Sequence, residues 1–135
     1  MKKCILMIAA LFMAVTMTNA QQAEYEEYDD VVFMVVEDMP EFPGGSQAMF
    51  QFLSENVKYP LIARENGIQG KAQVQFTVNK DGSISDVQIV RSAGDPSLDK
   101  EAIRVIKSMP KWNPGMQRGK LVRVKYTMPV SFKLQ

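Results

Sequence analysis

From Val122 to Leu134 every second residue is apolar: Val122, Val124, Tyr126, Met128, Val130, Phe132 and Leu134, with Arg123, Lys125, Thr127, Pro129, Ser131 and Lys133 between them. A period of two marks a strand with one buried face, and this one is more than twice the roughly five or six residues of a mean strand. The same period runs through Ala72, Val74, Phe76 and Val78. After the turn Asn79-Lys80-Asp81-Gly82 a second strand returns from Ile84 to Val90, which predicts a hairpin. Ile84 is out of phase with Val87 and Ile89, so this second strand is expected to start with a bulge or irregularity. A helical period takes over elsewhere. Met49, Phe50, Leu53 and Val57 predict a helix from Gln47 to about Asn56 with Ser46 as its N-cap. Pro60 fits the first turn of a short helix from Leu61 to Asn66, stopped by Gly67. Leu98, Ala102, Val105, Ile106 and Met109 form one stripe of a third helix, capped by Asp95, opened by Pro96 and ended by Pro110.

Helix, hairpin, helix and strand in this order predict an α+β domain: a small antiparallel sheet, hairpin plus long C-terminal strand, with two helices packed on one face. A right-handed crossover through the last helix sets the final strand beside the first hairpin strand and antiparallel to it, in the order second, first, final. The final strand is then an edge, and Pro129, which has no N–H to give a central ladder, agrees. An exposed edge is either blunted, here by Arg123, Lys125 and Lys133, or used to bind another chain. The alternation alone leaves both readings open.

Upstream, "MPEFPGG" opposes regular structure with Pro40, Pro43, Gly44 and Gly45, and the domain is expected to span residues 40–135. Val31-Val32-Phe33-Met34-Val35-Val36 is a β-branched apolar run that predicts a strand over residues 31–36. It lies within an acidic arm, residues 21–39, whose first part is polar. Residues 1–20 read as a signal peptide: Lys2 and Lys3, an apolar stretch from Cys4 to Thr16, then Thr18-Asn19-Ala20, with cleavage before Gln21. Export to the periplasm follows, the alternative being an uncleaved inner-membrane anchor. Membrane contact is expected only if the signal is not cut.

The one cysteine, Cys4, falls in that leader and the chain has no histidine, so beyond Gln21 no imidazole or thiolate is present for catalysis or metal binding. No catalytic residue, metal ligand or cofactor is expected. Adjacent carboxylates such as Asp29-Asp30 and Glu37-Asp38 sit in the acidic arm, without the burial that separates the pKa values of an acid and base pair. "GIQGK" is not a phosphate loop, because Glu65 stands where the first glycine belongs and Ala72 where serine or threonine does. Charge is polarised. Gln21 to Glu41 holds eight acidic residues and no basic one, whereas Lys100 to Gln135 holds nine basic residues against Glu101 alone. The two blocks are expected to attract each other or the basic end to meet an acidic partner; nucleic acid is not expected for an exported protein.

The stretch "YPLIARENGIQGKAQVQFTVNKDGSISDVQIV", followed by "SLDKEAIRVIKSMPKWNPG" and the terminal alternating strand, resembles the C-terminal domain of TonB proteins. The resemblance covers about Pro40 to Gln135 and rests on a combination: Tyr59-Pro60, Gly67, Gly70, Asp81-Gly82, Leu98, Trp112 and Pro114-Gly115. The "PEFPGG" leader resembles the stand-alone form in Bacteroidetes-like bacteria. The resemblance implies a three-stranded sheet with two helices. Its last strand would take a short extended segment, the TonB box, from the periplasmic N-terminus of a TonB-dependent outer-membrane transporter, in the service of energy-dependent transport or its regulation. Carried onto this chain, the accepting edge is Leu121, Val122, Arg123, Val124, Lys125, Tyr126 and Thr127, with Arg123 and Lys125 meeting acidic residues of the guest. Tyr59 and Pro60 would lie close to the docked receptor. Trp112 and Phe76 are expected in the core.

TonB proteins of the usual kind have a membrane anchor and a long proline-rich spacer, whereas here a cleavable signal and a short stretch precede the domain. A soluble stand-alone binding module is therefore expected, the alternative being an envelope or cell-wall-associated interaction module without energy transfer. A homodimer formed by exchange of the terminal strands stays open. "DDVVFMVV", Asp29 to Val36, is an acidic pair followed by β-formers, and it is a candidate to add to the domain's own edge and mask it; the bland alternative is an extra strand or cover.

Overall fold

The computed structural model describes residues 31–134, so the leader and the first part of the acidic arm lie outside the described residues. In chain order the elements are β1 (Val32–Phe33), α1 (Gly45–Asn56), α2 (Leu61–Glu65), β2 (Gly70–Val78), β3 (Ile84–Arg91), α3 (Pro96–Lys107), β4 (Gly115–Gln117) and β5 (Lys120–Phe132). Among the described residues no helix is long and apolar enough to cross a membrane.

The α3 helix follows its sequence signals closely. Asp95 Oδ1 accepts from the Ser97 N–H at 2.7 Å and from its hydroxyl at 2.8 Å, Pro96 fills the first turn, and Arg104 and Lys107 face the carbonyl end. Leu98, Ala102, Val105 and Ile106 are its buried stripe. The start of α1 differs from expectation. Gly45 donates its N–H to Phe42 O at 2.8 Å, and Gly44, at φ 90°, takes the N-cap with no side-chain bond. This turn begins the helix ahead of Ser46, which therefore lies inside the first turn instead of capping it.

The sheet runs β1-β5-β2-β3, so the final strand lies beside the first hairpin strand, antiparallel, as the crossover rule requires. Its ladder with β2 is continuous from Val78↔Val124 to Gly70↔Phe132. The β2–β3 hairpin slips register between Gln75 and Thr77 and between Gln73 and Val74, and Asp86 adopts φ 52°. The slip between Gln75 and Thr77, opposite Asp86, is the irregular start expected from the phase of Ile84, whereas the other lies opposite Ile89 and Arg91 at the far end of β3. The sheet also holds two strands that the alternation did not predict in the sheet: β4, hairpinned to β5 through Arg118 and Gly119 at φ 53° and 73°, and β1, parallel to β5 through Val32↔Arg123 and Phe33↔Val124. Both residues of the Arg118-Gly119 turn have positive φ, the turn geometry whose twist suits a two-residue hairpin. The final strand is consequently not an edge along its whole length, because β1 takes that flank at Arg123 and Val124.

One main hydrophobic cluster draws Ala72, Val74, Phe76 and Val78 from β2, Met128, Val130 and Phe132 from β5, and Met49, Ala63, Leu98, Ala102, Val105 and Ile106 from the helices. All three helices contribute to it, one more than the two expected. Trp112 and Phe76 are both buried there, their rings 5.3 Å apart between centroids and edge to face. Trp112 is held by a close backbone approach. Its N–H donates to Gly82 O at 2.9 Å, and a Cβ at Gly82 would stand 2.1 Å from Trp112 O. Only glycine at φ 87° fits there, and the contact hands the chain from α3 to β4.

Candidate functional site

The alternation along β5 becomes geometry in a simple way. Val122, Val124, Met128, Val130 and Phe132 are buried on one face, so the backbone is fixed by the core beneath it. Pro129 fixes which way the peptide groups of β5 point. It pairs with Gln73 without interrupting the β2 ladder, which requires its nitrogen to face away from β2. Backbone groups of a strand alternate sides, so the N–H groups of Lys125 and Thr127 face away from β2 as well.

On that flank β1 pairs with Arg123 and Val124, and among the described residues no strand pairs with Lys125 to Phe132. Val124 is thus laddered on both sides, to Val78 and to Phe33. Leu121 and Val122 each have one flank taken by β4, opposite Met116 and Gly115. Lys125, Tyr126 and Thr127 have one flank taken by β2, opposite Thr77, Phe76 and Gln75.

The side chains around this edge are placed as follows. Arg123 Nε donates to Asn79 Oδ1 at 2.9 Å, and its Nη2 stands 3.8 Å from Asp86 Oδ2. The carboxylate is well exposed, so the ion pair holds the guanidinium weakly. Asn79 is itself fixed by its Nδ2, which donates to Ser83 and Ser85 at 3.1 Å. Neither Asn79 nor Asp86 was singled out as a partner of Arg123 from the sequence; the out-of-phase Ile84 was the one sign of the bulge that presents Asp86. Lys125 borders an open groove of about 350 Å³ with Gln75, Thr77, Asp86 and Gln88. Tyr126 packs its ring on Trp112 and Phe76, with centroids 5.1 and 5.8 Å away.

Tyr59 and Pro60 belong to the other end of the strand. Pro60 is the N-cap residue of α2. The Tyr59 hydroxyl donates to Ile68 O, its ring meets Phe132 edge on at 5.7 Å, and the Arg64 guanidinium lies 5.9 Å over the ring. Phe132 is about 16 Å along β5 from Thr127 at roughly 3.3 Å per residue, so the structure gathers Arg123 to Thr127 and sets Tyr59 apart from them. Tyr59 instead lines an open groove of about 400 Å³ with Phe50, Leu53, Val57 and the end of β5. Among the described residues no cluster of three or more His, Cys, Asp or Glu side chains is placed to hold a metal ion.

Comparison with known proteins gives one consistent answer. The family model described as "Gram-negative bacterial TonB protein C-terminal" matches residues 55–134, from the end of α1 through β5. Protein TonB of Pseudomonas aeruginosa is 35% identical over 79 residues, which cover 57% of this chain and 22% of that protein. Protein TonB of Haemophilus influenzae is 32% identical over 94 residues, 67% of this chain and 35% of that protein. The chain therefore spans about a third or less of the length of these relatives. The solution structure of the Helicobacter pylori TonB-CTD superposes with a TM-score of 0.53 at 29% identity, covering 66% of this chain and 92% of that one. The fold is that of the TonB C-terminal domain, and β1 lies ahead of the residues the family model matches. On this evidence the chain belongs to the Gram-negative bacterial TonB protein C-terminal family.

Proposed function

We propose that this protein is a binding module of the cell envelope that engages TonB-dependent outer-membrane transporters, taking an extended segment of the transporter's periplasmic N-terminus as an added strand on β5. The reading assigns it to energy-dependent transport or its regulation. The observation that supports it most is the half-paired backbone of β5: the N–H of Thr127 faces a flank where no strand pairs among the described residues, and that of Lys125 faces the same flank at the very end of the two-residue β1, on a strand whose other flank and buried face are locked in place. Strand addition draws its affinity from main-chain hydrogen bonds and its selectivity from alternate side chains. Arg123 and Lys125 project on the face opposite the core, where they attract acidic residues of the guest. The ion pair from Arg123 to the exposed Asp86 is a weak rival for that contact.

Thr127→Pro tests this reading. Thr127 is exposed and its N–H faces away from β2, so proline removes one outward donor while the β2 ladder and the core keep their partners. Titration with transporter N-terminal peptides by calorimetry is expected to show binding to the parent chain and a loss of about tenfold or more in the variant, the worth of one or two main-chain hydrogen bonds. An unchanged affinity in a variant with the parent's far-ultraviolet circular dichroism would reject strand addition at this edge.

A further inference from the structure

We infer that Val32 to Val36 is a displaceable strap, an internal competitor seated in parallel on the part of the β5 edge that a guest strand needs. This rests on the reading of β5 as the guest-accepting strand. Beyond β1 this flank has no paired strand as far as Phe132 among the described residues, but Pro129, which has no N–H to offer, interrupts it, so the uninterrupted space beside the strap runs from Lys125 to Met128. The interval Lys125 to Met128 is less than the roughly five or six residues of a mean strand. A guest of ordinary length that keeps clear of Pro129 therefore takes over the places opposite Arg123 and Val124, where Val32 and Phe33 now lie.

The strap is built to leave. It pairs through two residues, Val32 and Phe33, and then bends away, so that Met34 and Val35 are 61% and 79% exposed. Its one buried side chain is Val36, which joins Phe33 against Val122 and Val124 in a small cluster separate from the main core. Immediately downstream the chain is tied firmly. Glu37 N–H donates to Gln117 Oε1 at 2.9 Å, Asp38 exchanges backbone bonds with Met116 at 3.1 and 2.8 Å, and Glu41 exchanges bonds with Asn113 at 3.0 and 2.8 Å. Release of β1 thus leaves the domain and its tether intact, and the freed strap stays close enough to compete at the millimolar effective concentration typical of short tethers. A guest's apparent affinity is reduced by the fraction of molecules with the strap open.

Two full-chain variants on a Cys4→Ser background test the inference. Phe33→Pro with Val36→Asp removes the donor of β1 and expels Val36 from its cluster, releasing the strap. Val32→Cys with Arg123→Cys joins residues that face each other on adjacent strands about 4.8 Å apart, within the span of a disulfide, and locks it. The probes are transporter N-terminal peptides and a synthetic peptide of the strap's own sequence, residues 29–36. The released variant is expected to bind both probes about tenfold or more tightly than the parent. The oxidised lock is expected to bind neither and, on reduction, to recover the affinity of an Arg123→Cys single variant, the reference needed because Arg123 itself belongs to the accepting edge. Equal affinity for the transporter peptides in parent and released variant overturns the strap while leaving strand addition standing. Should the released variant fail to fold, the lock still decides, because transporter-peptide binding unmoved by oxidation overturns the strap by itself. Transporter peptides that bind none of the parent, released and reduced forms overturn the guest-edge reading, and the strap's role with it.

Discussion

The two ends of β5 rest on very different foundations. Toward its C-terminus, Met128, Val130 and Phe132 lie on the main cluster, which takes side chains from β2 and from all three helices. Toward its N-terminus, Val122 and Val124 meet Val36 and Phe33 and little else that is apolar. Both stretches show the same alternation and both are buried, yet the apolar cover of one comes from β2 and three helices and that of the other from the short segment around a two-residue strand. Burial of a residue says how much water is excluded; how easily the cover can leave depends on what holds the cover.

Breaking the main cluster has the largest expected effect. Phe76→Ala removes a ring packed against Trp112 and Tyr126, at a cost of about 3 to 5 kcal/mol. That is a large part of the whole stability of a domain of this size. Urea unfolding is expected to show the midpoint fall accordingly, and with it any binding at β5, since that strand loses its floor. A midpoint within error of the parent's would mean that the ring is not part of the cooperative core.

The satellite cluster is expected to respond locally. Val36→Ala leaves the main cluster untouched and weakens the small cluster with Val122 and Val124 against which Phe33 packs, by about 1 kcal/mol for the lost methyl groups. Native-state hydrogen exchange separates this from global unfolding. The Phe33 amide is expected to exchange through an opening much cheaper than that of Phe76, and Val36→Ala is expected to speed the first and not the second. If Phe33 and Phe76 were protected equally in the parent chain, the two ends of β5 would form one cooperative unit and the contrast would vanish.

The legibility of these regions in the sequence follows the same division. β2, α3 and β5 were readable because each buries one long face, and a face that repeats over many residues leaves its period in the chain. The Asp95-Pro96 cap was readable because its chemistry is local. The pairing of β1 and the existence of β4 were not: a two- or three-residue strand has no period, and its place is set by whichever backbone lies alongside, here Arg123 and Val124 for β1 and Lys120 to Val122 for β4. The apolar run Val31 to Val36 announced a strand without its partner or its direction. Ser46 looked like a cap because serine is a good one, but the Phe42–Gly45 turn had already begun the helix. Within the candidate site, the role of Arg123 and Lys125 as outward charges on β5 could be read from alternation. The tie from Arg123 to Asn79 and Asp86 could not, since it depends on the bulge at Asp86.

Acid gives the smallest expected effect and sharpens the comparison from the other side. Three carboxyls of the main unit are held below their ordinary range. Hydrogen bonds from the Ser97 hydroxyl and N–H lower Asp95, and those from the Ser83 hydroxyl and N–H lower Asp81. For Glu101, burial pushes upward most strongly among single influences, but bonds from Arg104 and the Lys58 N–H, with their charges, outweigh it together. A carboxyl lowered in the folded state adds stability above its unfolded pKa, near 3.8 for aspartate and 4.5 for glutamate, and that gain is lost as pH falls through the folded value. These groups sit on α3 and in the β2–β3 turn, so acid withdraws support from the main core. The urea midpoint is expected to hold from pH 7 to 5 and then decline below about pH 4.5, and Asp95→Asn is expected to flatten that decline. Because the global opening becomes cheaper while the strap still opens locally, the gap in protection between Phe76 and Phe33 should narrow as the solution is acidified. A gap that widened instead would mean that the strap, and not the α3 and hairpin carboxyls, sets the acid limit of the fold.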